Sequence, residues 1–212
     1  MLGTGAVGQT IGGKLIGLGH EVMMGARQTG TEKAVEWARG AGERAREGSF
    51  SDAARFGEVI VNATAGTASL AALEMAGAAE LAGKVLIDVA NPLDFGGGGL
   101  PTLSVCNDDS LGEQIQRALP EAKVVKALNT VNAGVMVTPG DLAERHNIFI
   151  CGDDRDAKRH VTKLLESFGW PPDDIIDLGD ITAARGTEMY LPLWLRMMGA
   201  TGTAQFNIRI VR

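Results

Sequence analysis

The sequence predicts a doubly wound α/β fold, a parallel sheet with helices on both faces, followed by a small C-terminal α/β extension. Three observations carry that expectation. The runs EVIVNAT (58–64), KVLIDVANP (84–92) and AKVVKALNTV (122–131) are nearly continuous in apolar residues, as in strands buried on both faces. Longer segments of helical character lie between them, at the spacing of right-handed crossovers. Glycines at 3, 5 and 8 in GTGAVG, ahead of an amphipathic segment, mark a tight turn into a first helix.

The elements follow in order. Only Met1 and Leu2 precede the first glycine, where a buried strand needs about five residues, and the shortfall reads as an artefact of where the sequence starts. Gly19 stops the first helix, and the second strand covers 21–25. TEKAVEWARGAGERAREG (31–48) reads as a charged, solvent-facing helix, and SLAALEMAGAAEL (69–81) as an Ala/Leu-rich one. GGGG (96–99) is a flexible stretch, and DSLGEQIQRALP opens on a capping box of Ser110 and Glu113 and ends at Pro120. Beyond about residue 135, NIFICGDD (147–154) is a strand running into a helix over 155–168, its acids read as helix caps rather than metal ligands. PPDDIIDLGDI gives a turn and a short strand. AARGTEMYLPLWLRMMGATG is an apolar helix started or kinked by Pro192. The chain divides into a dinucleotide-binding domain, 1–135, and a small domain, 136–212, that walls a cleft and supplies a homodimer interface.

Composition narrows the function. A net charge of −6 leaves no electrostatic footprint for nucleic acid, and no apolar run reaches the roughly 18 residues that span a membrane. The start does not read as a signal peptide, and Cys106 and Cys151 lack metal-type spacing, so both read as reduced thiols of a cytoplasmic protein. His20, His146 and His160 are scattered and form no metal site. No Ser/His/Asp grouping, Cys/His pair or carboxylate dyad offers a catalytic residue.

The loop from Gly3 to Gly8, with Thr4, Ala6 and Val7 between the glycines, is a dinucleotide-binding signature. Gly3 permits the turn, Gly5 admits the pyrophosphate, and Gly8 lets helix and strand pack. A site for NAD usually places an acid at the end of the second strand, whereas VMMGARQTGTEK places Arg27 there. A guanidinium suits a 2′-phosphate, with Thr29 and Lys33 adding a hydroxyl and a second charge, so the cofactor is NADP.

In such a sheet, ligands sit beyond the carboxyl ends of the strands. Those ends read NATAGTAS, NPLDF and LNTVNAG. Thr64, Ala65 and Gly66 are small enough for a flat ring to lie against them. Asn91 precedes a proline and marks a turn, and Asn129 and Thr130 suit a carboxamide or a substrate carbonyl.

GTGAVGQTIGGKLIGLGHEVMMGAR, NPL, KALNTV, FICGDD and DLGDI…AR…E together resemble the coenzyme F420-dependent NADP oxidoreductase family. The resemblance spans nearly the whole chain. It implies a Rossmann-type NADP domain with a small C-terminal part, often dimeric, and direct hydride transfer between nicotinamide and the deazaflavin ring of coenzyme F420. By matching position it places Thr4, Val7 and Gly8 on the pyrophosphate, Arg27 on the 2′-phosphate, Ala65 near the nicotinamide and Asn129 at the mouth of the cleft. This chain departs from the family pattern at Ala26, in the small AGTAS loop and in NTV, so the phosphate loop is the firmer half of the match. Two alternatives stand beside it: a reductase of another small molecule or a metal chelate, and a non-catalytic module that senses NADPH.

Overall fold

The computed structural model describes residues 1–211 of the chain. Helix α1 (Ala6–Gly17) leads to β1 (Val22–Ala26), α2 (Glu32–Ala41), β2 (Ala45–Ser49), α3 (Phe50–Phe56) and β3 (Val59–Asn62). Next come α4 (Ser69–Ala76), α5 (Ala78–Leu81), β4 (Val85–Asp88) and a small hairpin of β5 (Leu93–Asp94) and β6 (Thr102–Leu103). The order finishes with α6 (Leu111–Ala118), β7 (Lys123–Ala127), α7 (Ala133–Val137), β8 (Ile148–Cys151), α8 (Arg155–Phe168), β9 (Ile175–Asp177), α9 (Ala184–Met189) and α10 (Leu191–Thr201).

The doubly wound α/β class is as the sequence predicts. β2 pairs with β1, and β3, β4, β7, β8 and β9 lie side by side in that order. Apart from the β5–β6 hairpin, every pairing is parallel except β7 with β8. Residues 1–3 join the two groups of strands, because Leu2 bridges Gly25 on one side and Asn62 on the other. Its N–H donates to Val61 O at 2.8 Å, and its carbonyl accepts from Ala63 N at 2.8 Å. The short start therefore occupies the central strand position with both edges paired.

Alternation along each buried strand feeds two cores, which is why these strands read as unbroken apolar runs. Val61, Ile87 and Val125 pack on one face with Ile11, Met24 and Trp170. Ile60, Leu86 and Val124 pack on the other with Leu2, Leu73 and Ile115. Ile148 and Ile150 of β8 share the first core, so the C-terminal segment extends the same sheet.

Several boundaries differ from the sequence reading, each for a local reason. The helix expected over 31–48 stops at Ala41. Gly42 takes φ 92°, and residues 45–49 are drawn into an edge strand by β1. α3, unforeseen, starts from a capping box in which Ser49 and Asp52 satisfy each other's backbone. Gly77, with φ 92°, splits the helix over 69–81 in two. At Ser110 half of the expected box forms: its hydroxyl caps Glu113 N, while the Glu113 carboxylate turns to Arg185. The apolar C-terminal helix breaks at Tyr190, and Pro192 occupies the first turn of α10. Asp154 caps α8, accepting from Ala157 N at 2.8 Å.

Trp170 is the largest fully buried side chain, and its indole N–H donates to Met136 O at 3.0 Å. Trp170→Ala is expected to lower stability by about 3–5 kcal/mol, as a shift of the urea midpoint at unchanged slope. A loss under about 1 kcal/mol would mean that the ring packs far less tightly than its burial indicates.

Candidate cofactor-binding site

The glycine loop is shaped by backbone contacts. Gly3 has φ 110°, and a Cβ there would stand 2.5 Å from Ala63 O. A Cβ on Gly8 would lie 2.2 Å from Gly3 O, so α1 meets the first strand with no room for a side chain. Gly5 differs, because a Cβ there meets nothing within 4 Å. The protein itself thus leaves space at the residue that caps α1. That helix start has no side-chain cap and no acid in its first turn, so its leading N–H groups are left for an anion. Thr4 and Val7 are half-buried beside it, while Gly5 and Ala6 are exposed.

Arg27 directly follows β1, on the same sheet edge as the loop, since Gly3 N donates to Gly25 O at 3.1 Å. It is exposed and forms no ion pair among the described residues. Lys33 is exposed in the first turn of α2. Thr29 is exposed too, but its hydroxyl points to Asp52 at 3.4 Å, and Gly30 N donates to Glu47 at 2.9 Å. Two acids therefore border the cationic corner, a feature that the sequence reading missed.

Beyond the carboxyl ends of the strands lies a cavity of about 250 Å³. Val7 of α1 lines it beside Thr64, Ala65, Gly66, Asn91 and Asn129, so six of the residues singled out in the sequence converge there. Arg27, Thr29 and Lys33 stand apart, from the end of β1 to the first turn of α2. Leu191 and Trp194 of α10, Met136 of α7 and Phe95 of the hairpin are among the other residues of the wall. A Cβ on Gly66 would sit 1.9 Å from Asn91 O, so the loops after β3 and β4 touch through backbone alone. Asn91 and Asn129 clasp each other: Asn91 Nδ2 donates to Asn129 O at 2.8 Å, and Asn129 Nδ2 to Asn91 Oδ1 at 3.0 Å. Asn129 Oδ1 remains buried without a partner, an acceptor suited to an amide N–H₂. Leu128 just before it holds φ 64°, a strained backbone conformation for a branched side chain.

Beneath this floor runs a buried ionic network. Lys126 Nζ donates to Asp88 Oδ2 at 2.7 Å and to Ala90 O at 2.5 Å, and meets Glu188 Oε1 at 2.7 Å. Burial opposes the ammonium charge most, but the carboxylates of Asp88 and Glu188 outweigh it and hold the Lys126 pKa above its ordinary value. The signal in the sequence was a charged residue inside each of two apolar strands, KVVKA and VLID. Cys151, close by, has its thiol pushed up to about 12, chiefly by burial, and so stays protonated. A second cleft, of about 510 Å³, opens at the amino ends of β1 and β3 and takes in both His20 and His160, away from the cavity just described.

Comparison with known proteins agrees with this geometry. Residues 1–92 match the family described as NADP oxidoreductase, coenzyme F420-dependent. A structure from Arthrobacter sp. FB24 with the provisional name F420-dependent NADP reductase is 52% identical, with a TM-score of 0.94 over 100% of this chain and 97% of that one. The F420-dependent NADP reductase of Methanocaldococcus jannaschii is 29% identical over 186 residues, 82% of this chain and 80% of the relative. The rat metalloreductase STEAP3 is 26% identical over 198 residues, 92% of this chain but only 37% of the rat protein.

Gly5 and Gly8 are expected to respond differently to a methyl group. Gly8→Ala is expected to lower the melting temperature, because backbone must move. Gly5→Ala should leave it nearly unchanged while weakening NADPH binding by about tenfold or more, as measured by fluorescence titration. Unchanged NADPH affinity in Gly5→Ala would remove the phosphates from that space.

Proposed function

The chain belongs to the family of coenzyme F420-dependent NADP oxidoreductases, and on that premise we propose that it moves a hydride between NADP(H) and a deazaflavin of the coenzyme F420 type. It is an NADP-dependent oxidoreductase; the identity of the acceptor is the part proposed. The observation that carries the reading is one continuous path. The uncapped start of α1 leads through Val7 to a cleft floored by Thr64, Ala65 and Gly66.

In this reading Gly3, Thr4, Gly5, Ala6, Val7 and Gly8 hold the pyrophosphate, and Arg27 and Lys33 the 2′-phosphate. Thr29 contributes less than the sequence suggested, because its hydroxyl is turned to Asp52. Ala65 and Gly66 lie under the nicotinamide, and Asn129 Oδ1, orphaned in the structure, accepts from its carboxamide. Asn91 acts by holding Asn129, since both of its amide atoms are engaged there. When bound, the nicotinamide supplies the hydride, two electrons and one proton moving together to the acceptor ring. The chain's own residues align, exclude water and bind; a general base is not needed. Residues 1–135 serve the nucleotide, and residues 136–212 wall the acceptor side.

That C-terminal part also carries an exposed apolar face, with Leu193 at 57% and Met189 at 38% exposure, which we assign to a homodimer. Light scattering should give twice the chain mass across concentrations, and a constant single-chain mass contradicts the assignment. No helix among the described residues is long and apolar enough to cross a membrane, and a cytoplasmic location fits the two free cysteines.

The likeness to the rat metalloreductase favours a second reading, reduction of a metal chelate or another small acceptor by the same NADPH site. The two readings separate in NADPH oxidation assays with coenzyme F420, a free flavin and a ferric chelate. Saturable turnover with the deazaflavin alone supports the first. Turnover with the chelate alone moves the activity to the second, and tight NADPH binding with no turnover leaves a sensing module. Independently of the acceptor, Arg27→Asp is expected to weaken NADPH binding roughly tenfold to a hundredfold while NADH binding changes little. Equal losses for both nucleotides would release Arg27 from the 2′-phosphate.

A further inference from the structure

We propose that Lys126 is a positioning residue whose buried ammonium clamps the floor of the cleft to the wall carried by α9 and α10. The assignment of those two surfaces to nicotinamide and acceptor rests on the function proposed above; the clamp itself rests on contacts alone.

Lys126 lies within β7 with no exposed side-chain surface, and each of its three ammonium hydrogens has a partner: Asp88, Ala90 O and Glu188. Two arms run outward from it. In the first, Asp88 Oδ1 accepts from Asn62 Nδ2 at 2.8 Å and from Ala90 N at 3.2 Å. Asn62 Oδ1 in turn accepts from the Thr64 hydroxyl at 2.7 Å, and that hydroxyl meets Ser69 Oγ at 2.9 Å. Thr64 and Ala90 both line the cleft, so this arm ends on the floor. In the second, the Glu188 carboxylate accepts from Leu111 N at 2.8 Å and from Gly112 N at 3.0 Å, pinning α9 to the start of α6. α9 passes through Tyr190 directly into α10, whose Leu191 and Trp194 line the opposite wall. Remove the ammonium, and nothing else in this network links the two arms.

Stability alone does not account for such a cluster. Buried ion pairs are often no more stabilising than apolar side chains of the same volume, because desolvation offsets the attraction. What the cluster provides is geometric definition. A carboxylate fixed by one ammonium and two amides has one position, and α9 must adopt it. Two rings that exchange a hydride need that definition, since a displacement of about 1 Å lowers a rate about a hundredfold.

The test is amide hydrogen exchange on the ligand-free protein, comparing the wild type with Glu188→Gln, Lys126→Met and the double variant. Glu188→Gln keeps the side-chain shape and leaves Lys126 neutralised by Asp88, so it is the variant expected to fold whatever Lys126→Met does. The clamp predicts that Glu188→Gln speeds exchange about tenfold at residues 62–69, which Glu188 does not touch, beyond any uniform change set by global stability in urea. Lys126→Met is to do the same at both 62–69 and 186–191, and the double variant is to add little, because one link has been cut twice. Faster exchange confined to residues 111–112 and the neighbours of Glu188 overturns the proposal, as does a rise equal to the global loss everywhere. None of these readouts uses an acceptor, so a chain that ignores coenzyme F420 loses the proposed function while the clamp stays measurable. Where turnover is found, Glu188→Gln lowers kcat while NADPH affinity stays within about threefold; equal losses in both count against a positioning role.

Discussion

The functional edge of this protein depends on the backbone pairing of three residues. Leu2 is fully buried and hydrogen-bonded to β3 on one side, while Met1 O accepts from Gly25 N at 2.7 Å on the other. That double pairing sets where the chain leaves the sheet, and so where Gly3 turns against Ala63 and where Gly8 meets Gly3 O. The open start of α1 is a consequence: a helix cannot end so close to a strand end unless both contacts are free of side chains. A strand this short still does its work because its two neighbours, and the cores on both faces, hold it from every side.

The same logic repeats at the other strand ends, with polar side chains taking the place of backbone pairing. Loops after β3, β4 and β7 would be free to separate if they met only through water. Instead Gly66 rests on Asn91, Asn91 is clasped to Asn129, and Asp88 reaches Asn62 beneath them. The Asn91–Asn129 and Asn62–Asp88 links are hydrogen bonds that satisfy polar groups, so breaking one carries the energetic penalty of an orphan, whereas Gly66 contributes a close backbone approach. Asn129 Oδ1 is left buried without a partner, and Trp194 Nε1, from another residue lining the cavity, is likewise unpartnered. The cleft proposed for the nicotinamide is formed by the way the sheet closes its own ends.

Much of this was legible in the sequence, and what was hidden shares a cause. The apolar runs identified β3, β4 and β7, and the helix over 155–168 falls where its acidic cap and Gly169 place it. The tight backbone packing at Gly3 and Gly8 is legible because one residue type has one physical use there. Residues 45–48 look helical in the sequence because Arg46 and Glu47 look solvated; an edge strand is solvated too, and only pairing with β1 tells them apart. The contact of Thr29 with Asp52 and the ion pairs of Lys126 with Asp88 and Glu188 are hidden in the sequence because the partners come from different segments. Charges inside apolar strands were the visible trace of the ion pairs.

In the proposed function, the chain aligns two rings for direct hydride transfer and adds no proton relay of its own. The most direct test of this uses NADPH carrying deuterium at the transferred position of the nicotinamide, with oxidised coenzyme F420 in ordinary water. The account predicts one deuterium per turnover in the reduced deazaflavin ring, with none released to solvent. Deuterium in the water, or reduction of the deazaflavin without label, would contradict it.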